Sequence, residues 1–127
     1  MDTNFLMAPF EFKVDVFSEF NRICNFNYKL FVFKRTIDEL KNIIEKQSLK
    51  YKKAAQFALK LIKLKGIGII KSGQKDVDTL ILDNISNDTI IATQDIRLKN
   101  ELLKKGASVV ILRQKKYLQF IEGKVYK

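Results

Sequence analysis

Residues 88–95 read DTIIATQD, and this stretch decides the fold. Thr89 to Ala92 is short, apolar and rich in β-branched residues, which predicts a buried strand. Polar residues follow abruptly, and a helical pattern then begins with Ile96 and Leu98. Because α/β sheets place their chemistry at the carboxyl ends of strands, Asp95 is a candidate functional acid. The alternative interpretation is that Asp95 serves only as the N-cap of the following helix, a common role for aspartate.

Strand and helix patterns alternate along the rest of the chain. Strands are predicted at 28–33, 67–70, 89–92 and 108–112, and 117–121 reads either as an edge strand or as a terminal helix. Five helices are predicted. The first covers 10–23 after a loop containing Pro9, the second covers 37–44 behind a capping box of Thr36 and Glu39, and the third covers 51–65 with a buried stripe that begins at Tyr51. The fourth covers 76–85, and the fifth runs from Asp95 to Gly106. This alternation predicts an α/β fold, a three-layer α/β/α sandwich around a central, mainly parallel twisted sheet.

The composition excludes several kinds of site. The chain has no histidine and one cysteine, Cys24, which rules out an internal disulfide, a Cys/His zinc site and a catalytic triad that needs imidazole. Catalysis would therefore depend on carboxylates, lysines and hydroxyls. No apolar run approaches the length of a membrane span and no signal peptide is recognisable, so we expect a cytoplasmic protein that does not bind membranes.

A net charge of +10 accompanies these features, from 24 Lys and Arg against 14 Asp and Glu. Such a field attracts nucleic acid, although it also simply keeps a protein soluble. Acids collected at one sheet edge of so basic a protein would hold Mg²⁺ or Mn²⁺, which prefer oxygen ligands. Right-handed crossovers could bring Asp2, Glu39, Asp78 and Asp95 to one rim. Two ions held there would permit cleavage of a phosphodiester without histidine.

Four short motifs in order resemble those of the PIN domain, a family of metal-dependent ribonucleases. They read DTNFL at residues 2–6, TIDEL at 36–40, VDTLI at 77–81 and ATQDIRL at 92–98. Their spacing covers essentially the whole chain, which implies a single PIN-like nuclease domain over residues 1–127. The family includes VapC-type toxins and nucleases that trim ribosomal RNA precursors, and the latter branch is the more similar.

The resemblance assigns roles to individual residues. It implies that Asp2, Glu39, Asp78 and Asp95 are the catalytic, metal-binding acids, with Asp76 and Asp83 as reserves for Asp78. It also implies that Asn4 and Thr93 orient these acids from beside the site. Basic side chains would contact RNA, namely Lys52, Lys53, Arg97 and Lys99. Structural roles remain open for several of them, such as a capping box for Glu39, a first-turn acid for Asp78, a turn for Asn4 and a solvated helix face for the lysines.

Two departures from the family pattern bear on these roles. Many relatives carry a second acid two residues after the position of Asp95, and Arg97 stands there in this chain. Arg97 either weakens a second metal site or supplies a cation for phosphate. The family's first strand precedes its aspartate, whereas only Met1 precedes Asp2, so we expect a first strand upstream of this numbering.

The implied function is a Mg²⁺- or Mn²⁺-dependent endoribonuclease with a role in ribosomal RNA processing. One alternative is a PIN-like RNA-binding or ribosome-assembly factor with little or no catalysis. Another is a VapC-type toxin, whose partner would be an antitoxin protein and not a pre-ribosome. PIN relatives often dimerise, so the Phe-rich segment from Phe5 to Phe20 is a candidate either for a homodimer interface or for core.

Overall fold

The computed structural model describes residues 1–71, residue 79 and residues 89–123. Five helices and five strands have described ends. In chain order they are α1 (Thr3–Phe12), α2 (Val16–Ile23), β1 (Phe31–Phe33), α3 (Lys34–Lys46), α4 (Leu49–Leu64), β2 (Gly68–Ile70), β3 (Ile90–Ala92), α5 (Ile96–Lys104), β4 (Ser108–Arg113) and β5 (Tyr117–Ile121). In this described part, no helix has the length and apolar character needed to cross a membrane.

The strands form two groups that are mainly parallel. β1 pairs with β2 in parallel, and β3 pairs with β4 in parallel. β5 then runs antiparallel to β4, which confirms the edge-strand interpretation of residues 117–121. The first two residues lie between the groups. The main-chain nitrogen of Met1 donates to the Phe31 carbonyl (3.4 Å), and that of Asp2 donates to the Ala92 carbonyl (3.1 Å).

Helices cover both faces of the β3–β5 sheet. On one face, Ile91 and Val109 pack against Leu102 of α5. On the other face, Val110 packs in a separate cluster with Phe20 of α2 and with side chains of α1. Neighbouring residues of a strand point to opposite faces, which is why Val109 and Val110 enter different cores. The predicted three-layer arrangement is therefore present.

A third core joins α1, α3 and α4. Its α4 face is made of Ala54, Ala55 and Ala58, which are all fully buried, and Leu40 of α3 packs against them. Short side chains let helix backbones approach closely. Tyr51 had been predicted in this buried stripe and is instead exposed.

The predicted helix over 10–23 is wrong, because two helices occupy this region. α1 begins at Thr3, includes Pro9 and ends at Phe12, and its C-cap residue Lys13 has a left-handed φ of 54°. Asp15 then caps α2 by accepting from the Ser18 amide (3.1 Å). The three-to-four spacing of apolar residues continues across this break, so periodicity alone does not reveal it. The Phe-rich segment is mostly core, since Phe5 and Phe20 are buried.

The predicted capping box at Thr36 and Glu39 is also wrong. α3 begins three residues earlier than predicted, at Lys34, and its N-cap is Phe33, which makes no side-chain hydrogen bond. Thr36 consequently lies inside the first turn and is completely buried, and its hydroxyl has no hydrogen-bond partner among the described residues. The predicted strand 28–33 is shorter than expected, and the predicted helix 76–85 lies outside the described residues except for Thr79.

The alanine face of α4 gives a test of this packing. We expect Ala58→Leu to lower the free energy of unfolding by about 1–3 kcal/mol, because additional carbons cannot fit between closely packed helices. Urea denaturation measures the change. The control is Gln56→Leu, which adds the same side chain at an exposed position of the same helix. Equal destabilisation by the two variants would contradict tight packing at Ala58.

Candidate functional site

The candidate site lies at the sheet edge where β1 and β3 end and where α1 and α5 begin. Asp2 is the N-cap of α1, and Asp95 is the N-cap of α5. Thr93 directly follows β3, and its amide donates to the Val110 carbonyl of β4 (3.0 Å). The edge therefore collects two acids and a threonine from distant parts of the chain.

Asp2 is the buried acid of this edge. Its side chain is only 8% exposed, and one carboxylate oxygen accepts from the Phe5 amide (2.9 Å). The other oxygen accepts from the Thr93 hydroxyl, and the Gln94 amide also donates to the carboxylate. Burial raises the pKa of Asp2 above its ordinary value, and these hydrogen bonds offset only part of that rise.

Thr93 connects Asp2 to Asp95. Its hydroxyl donates to Asp2 and accepts from the Asp95 amide (3.0 Å), so both hydrogen-bonding capacities of the group are used. Thr93 is completely buried, which keeps this connection away from water. The structure thus brings Thr93 beside Asp2, as expected for a residue that orients an acid.

Asp95 is exposed and caps α5. Its Oδ1 accepts from the amides of Arg97 (2.9 Å) and Leu98 (3.2 Å), so the N-cap interpretation is confirmed. No hydrogen bond to Oδ2 is found within the described residues. Because one oxygen suffices for capping, the second remains available as a ligand, and the structural and functional interpretations are compatible.

A hydrogen bond from Thr3 connects Glu39 to this edge of the sheet. The Thr3 hydroxyl donates to Glu39 Oε2 (2.5 Å), and Thr3 directly follows Asp2. The sequence analysis did not select Thr3. Its position beside Asp2, in the first turn of α1, is the signal that could have identified it.

The remaining predicted site residues are placed less centrally. Asn4 is exposed, and Asp78, Asp76 and Asp83 lie outside the described residues. Arg97 is exposed on α5, and its Nε lies 3.8 Å from Glu101 Oε1. Three lysines lie on helix surfaces, namely Lys99 on α5 and Lys52 and Lys53 on α4. No group of three acids close enough to hold a metal is present among residues 1–71, 79 and 89–123.

The described donors at this edge are of the chemical type that a hard divalent cation prefers, but no three of them lie close enough together to form a metal site on their own. Asp2, Glu39 and Asp95 offer carboxylate oxygens, the ligand type that Mg²⁺ and Mn²⁺ prefer. Asp2 is also a buried acid whose ionised form is disfavoured. A nearby cation would stabilise that ionised form, which gives the burial of Asp2 a chemical use.

Comparisons with known proteins agree with this geometry. A family model described as a PIN like domain matches residues 1–115. Ribonuclease VapC4 of Methanocaldococcus jannaschii is 29% identical over 120 residues, which cover 93% of this chain and 92% of that protein. The solved structure of the PIN domain endonuclease Utp24 superposes with a TM-score of 0.74 at 18% identity, covering 98% of this chain and 92% of that one. The structural likeness confirms the predicted fold class.

Two buried threonines test the role of Thr93. We expect Thr93→Val to lower the free energy of unfolding by about 1–3 kcal/mol, because Asp2 and the Asp95 amide each lose a hydrogen-bond partner. Thr36→Val is the matched control, since Thr36 is as deeply buried and its hydroxyl has no hydrogen-bond partner among the described residues. It should be neutral or stabilising in urea denaturation. A similar loss in both variants would show that the Thr93 hydrogen bonds contribute little.

The raised pKa of Asp2 predicts a pH dependence. An acid whose pKa is higher in the folded protein than in the unfolded chain makes the fold less stable as pH rises through the interval between the two values. Asp2→Asn removes this charge and keeps a side-chain oxygen for the Phe5 amide. We therefore expect the metal-free variant to be more stable than the wild type at neutral pH, with the advantage shrinking towards pH 4.

Thermal unfolding of the wild type and Asp2→Asn across this pH range, in EDTA, measures the difference. Asp15→Asn is the control, because hydrogen bonds from Ser18 lower the pKa of Asp15 and should give the opposite trend. An advantage of Asp2→Asn that does not change with pH would contradict a raised pKa at Asp2.

Proposed function

Because this chain belongs to the family of PIN-like domains, we propose that it is a divalent-metal-dependent endoribonuclease acting as one domain over residues 1–127. The observation that carries the proposal is the buried Asp2 carboxylate, joined through the Thr93 hydroxyl to the Asp95 cap at a sheet edge. A relative named as a ribonuclease supports RNA as the substrate. We place this activity in the cytoplasm.

The proposed site assigns distinct tasks to the chain's residues. Asp2, Glu39, Asp78 and Asp95 hold Mg²⁺ or Mn²⁺, and a bound ion would lower the pKa of an attacking water and stabilise the leaving oxygen. Thr93 and Thr3 hold the carboxylates of Asp2 and Glu39 in position, while Asn4 stands at the exposed side of α1. Lys52, Lys53, Arg97 and Lys99 attract the phosphates of the RNA.

Arg97 supports a second candidate, an RNA-binding factor with weak or absent catalysis. Its guanidinium is exposed two residues after Asp95, and the Glu101 carboxylate lies 3.8 Å away. A cation at this point favours phosphate over a second metal ion. The name of the VapC4 relative also supports a toxin role with an antitoxin partner, whereas a role in ribosomal RNA processing rests on the sequence motifs alone.

Cleavage of a labelled structured RNA in Mn²⁺, Mg²⁺ or EDTA tests the nuclease proposal. We expect EDTA to abolish cleavage and Asp95→Asn to slow it at least about a hundredfold, because even residues that only support metal ligands cost 10- to 100-fold when lost. Asparagine caps helices as well as aspartate does, so α5 should remain folded in this variant.

The control is Asp38→Asn, which removes an exposed carboxylate beside Glu39 that is paired with Lys34 (2.7 Å). It should leave the cleavage rate unchanged. Cleavage that survives both EDTA and Asp95→Asn would refute the metal site. Salt-sensitive RNA binding by a wild type that does not cut would instead support the binding factor.

A further inference from the structure

The β4–β5 hairpin carries a concentrated positive charge that the proposed site does not use. Arg113, Lys115 and Lys116 lie within four residues at its turn, and all three are exposed. Lys13, at the end of α1, lines the same open cleft of about 330 Å³ as Lys115 and Lys116. We call these four residues the basic hairpin corner.

This corner stands on the same edge of the sheet as the acids. β3 ends at Ala92, which is opposite Val110, and β4 continues for three more residues to Arg113. At about 3.3 Å per residue, the hairpin rises about 10 Å beyond the point where Thr93 bonds to Val110. The hairpin turn therefore extends beyond the same end of the sheet as Thr93.

The backbone of the corner is held in unfavourable conformations. Three non-glycine residues have positive φ in the described chain, namely Lys13 (54°), Gln114 (52°) and Lys115 (58°), and all belong to this region. Such turns usually carry glycine or asparagine, because other side chains are strained there. The chain thus places long polar and basic side chains where the backbone alone would favour glycine, a feature typical of functional sites.

Two acids, Asp15 and Glu19, line the same cleft as these lysines. Glu19 is paired with Arg22 (2.9 Å) and accepts from the Leu118 amide (2.9 Å). Asp15 accepts from the amide and the hydroxyl of Ser18. By contrast, Lys13 and Lys116 have no ion pair among the residues described, and the Lys115 ammonium lies 5.2 Å above the Phe12 ring. The ammonium groups are therefore free to meet an outside anion.

We propose that the basic hairpin corner binds the phosphate backbone of single-stranded RNA at the end of the sheet that carries the acids. The partly exposed Tyr117, directly opposite Arg113 across the hairpin, offers a ring on which a base can stack, as in other single-strand binding surfaces. This inference rests on the proposed function for its choice of ligand. It adds an RNA contact that is separate from the acids of the proposed site.

The test compares two variants that each remove two positive charges. Lys115→Gln/Lys116→Gln alters the corner. Lys104→Gln/Lys105→Gln alters exposed lysines at the far end of α5, about 15 Å along the helix from Asp95. Binding of a fluorescent, unstructured RNA oligonucleotide is measured in EDTA, which prevents metal-dependent cleavage, over a range of KCl concentrations.

We expect the hairpin variant to bind about tenfold more weakly at low salt, and its log–log salt slope to be shallower by about 1.4, since each phosphate contact on a single strand contributes about 0.7. The Lys104/Lys105 control should change neither quantity appreciably. Lys115→Arg/Lys116→Arg, which keeps both charges, should bind as the wild type does. In Mn²⁺, the hairpin variant should show a raised KM with little change in kcat.

Each other result overturns the inference. Equal losses in the hairpin variant and the control would mean that only net charge matters, and unchanged binding in the hairpin variant would exclude the corner. A wild type that binds no RNA at low salt would also refute it. Failure of the nuclease proposal is recognised separately, because the hairpin effect on binding would persist in a protein that never cuts.

Discussion

The buried carboxylate of Asp2 is the constraint on which the site depends. It accepts hydrogen bonds from the start of α1 through Phe5 and from the segment after β3 through Thr93 and Gln94. The main-chain nitrogen of the same residue donates to β3 at Ala92. One residue therefore fixes a helix start, a strand end and the loop that leads into α5. Moving Asp2 would disturb all three elements.

Burying the Asp2 carboxylate costs free energy, and the packing of the surrounding cores does not require a carboxylate there. An ionised carboxylate in a buried place is disfavoured, which is why the pKa of Asp2 is raised. A protein selected only for stability would place an apolar residue there. The surrounding cores of α1, α2 and α5 supply the stability that keeps the acid in place, and the hydrogen bonds limit the cost. Functional sites commonly combine such local costs with a well-packed surrounding.

The net charge of the whole chain and the local charge of the sheet edge have opposite signs. The whole chain carries +10, which draws a polyanion towards it, while the sheet edge presents carboxylates. A polyanion alone would be repelled by those acids. A divalent cation at the proposed site would resolve the conflict, because the acids would attract it and it would in turn attract phosphate. The basic hairpin corner adds positive charge beyond the same end of the sheet.

The sequence by itself determined the alternation of elements, because strand and helix periodicities and the glycine at position 106 are local signals. A polar stretch after a buried strand also singled out Asp95, and the resemblance of the motifs to the family pointed to Asp2 and Thr93. The sequence could not separate α1 from α2, whose apolar spacing is continuous, or find that Thr3 holds Glu39. Only the tertiary structure decided these contacts, because they join residues far apart in sequence, such as Thr93 and Asp2, which are 91 positions apart.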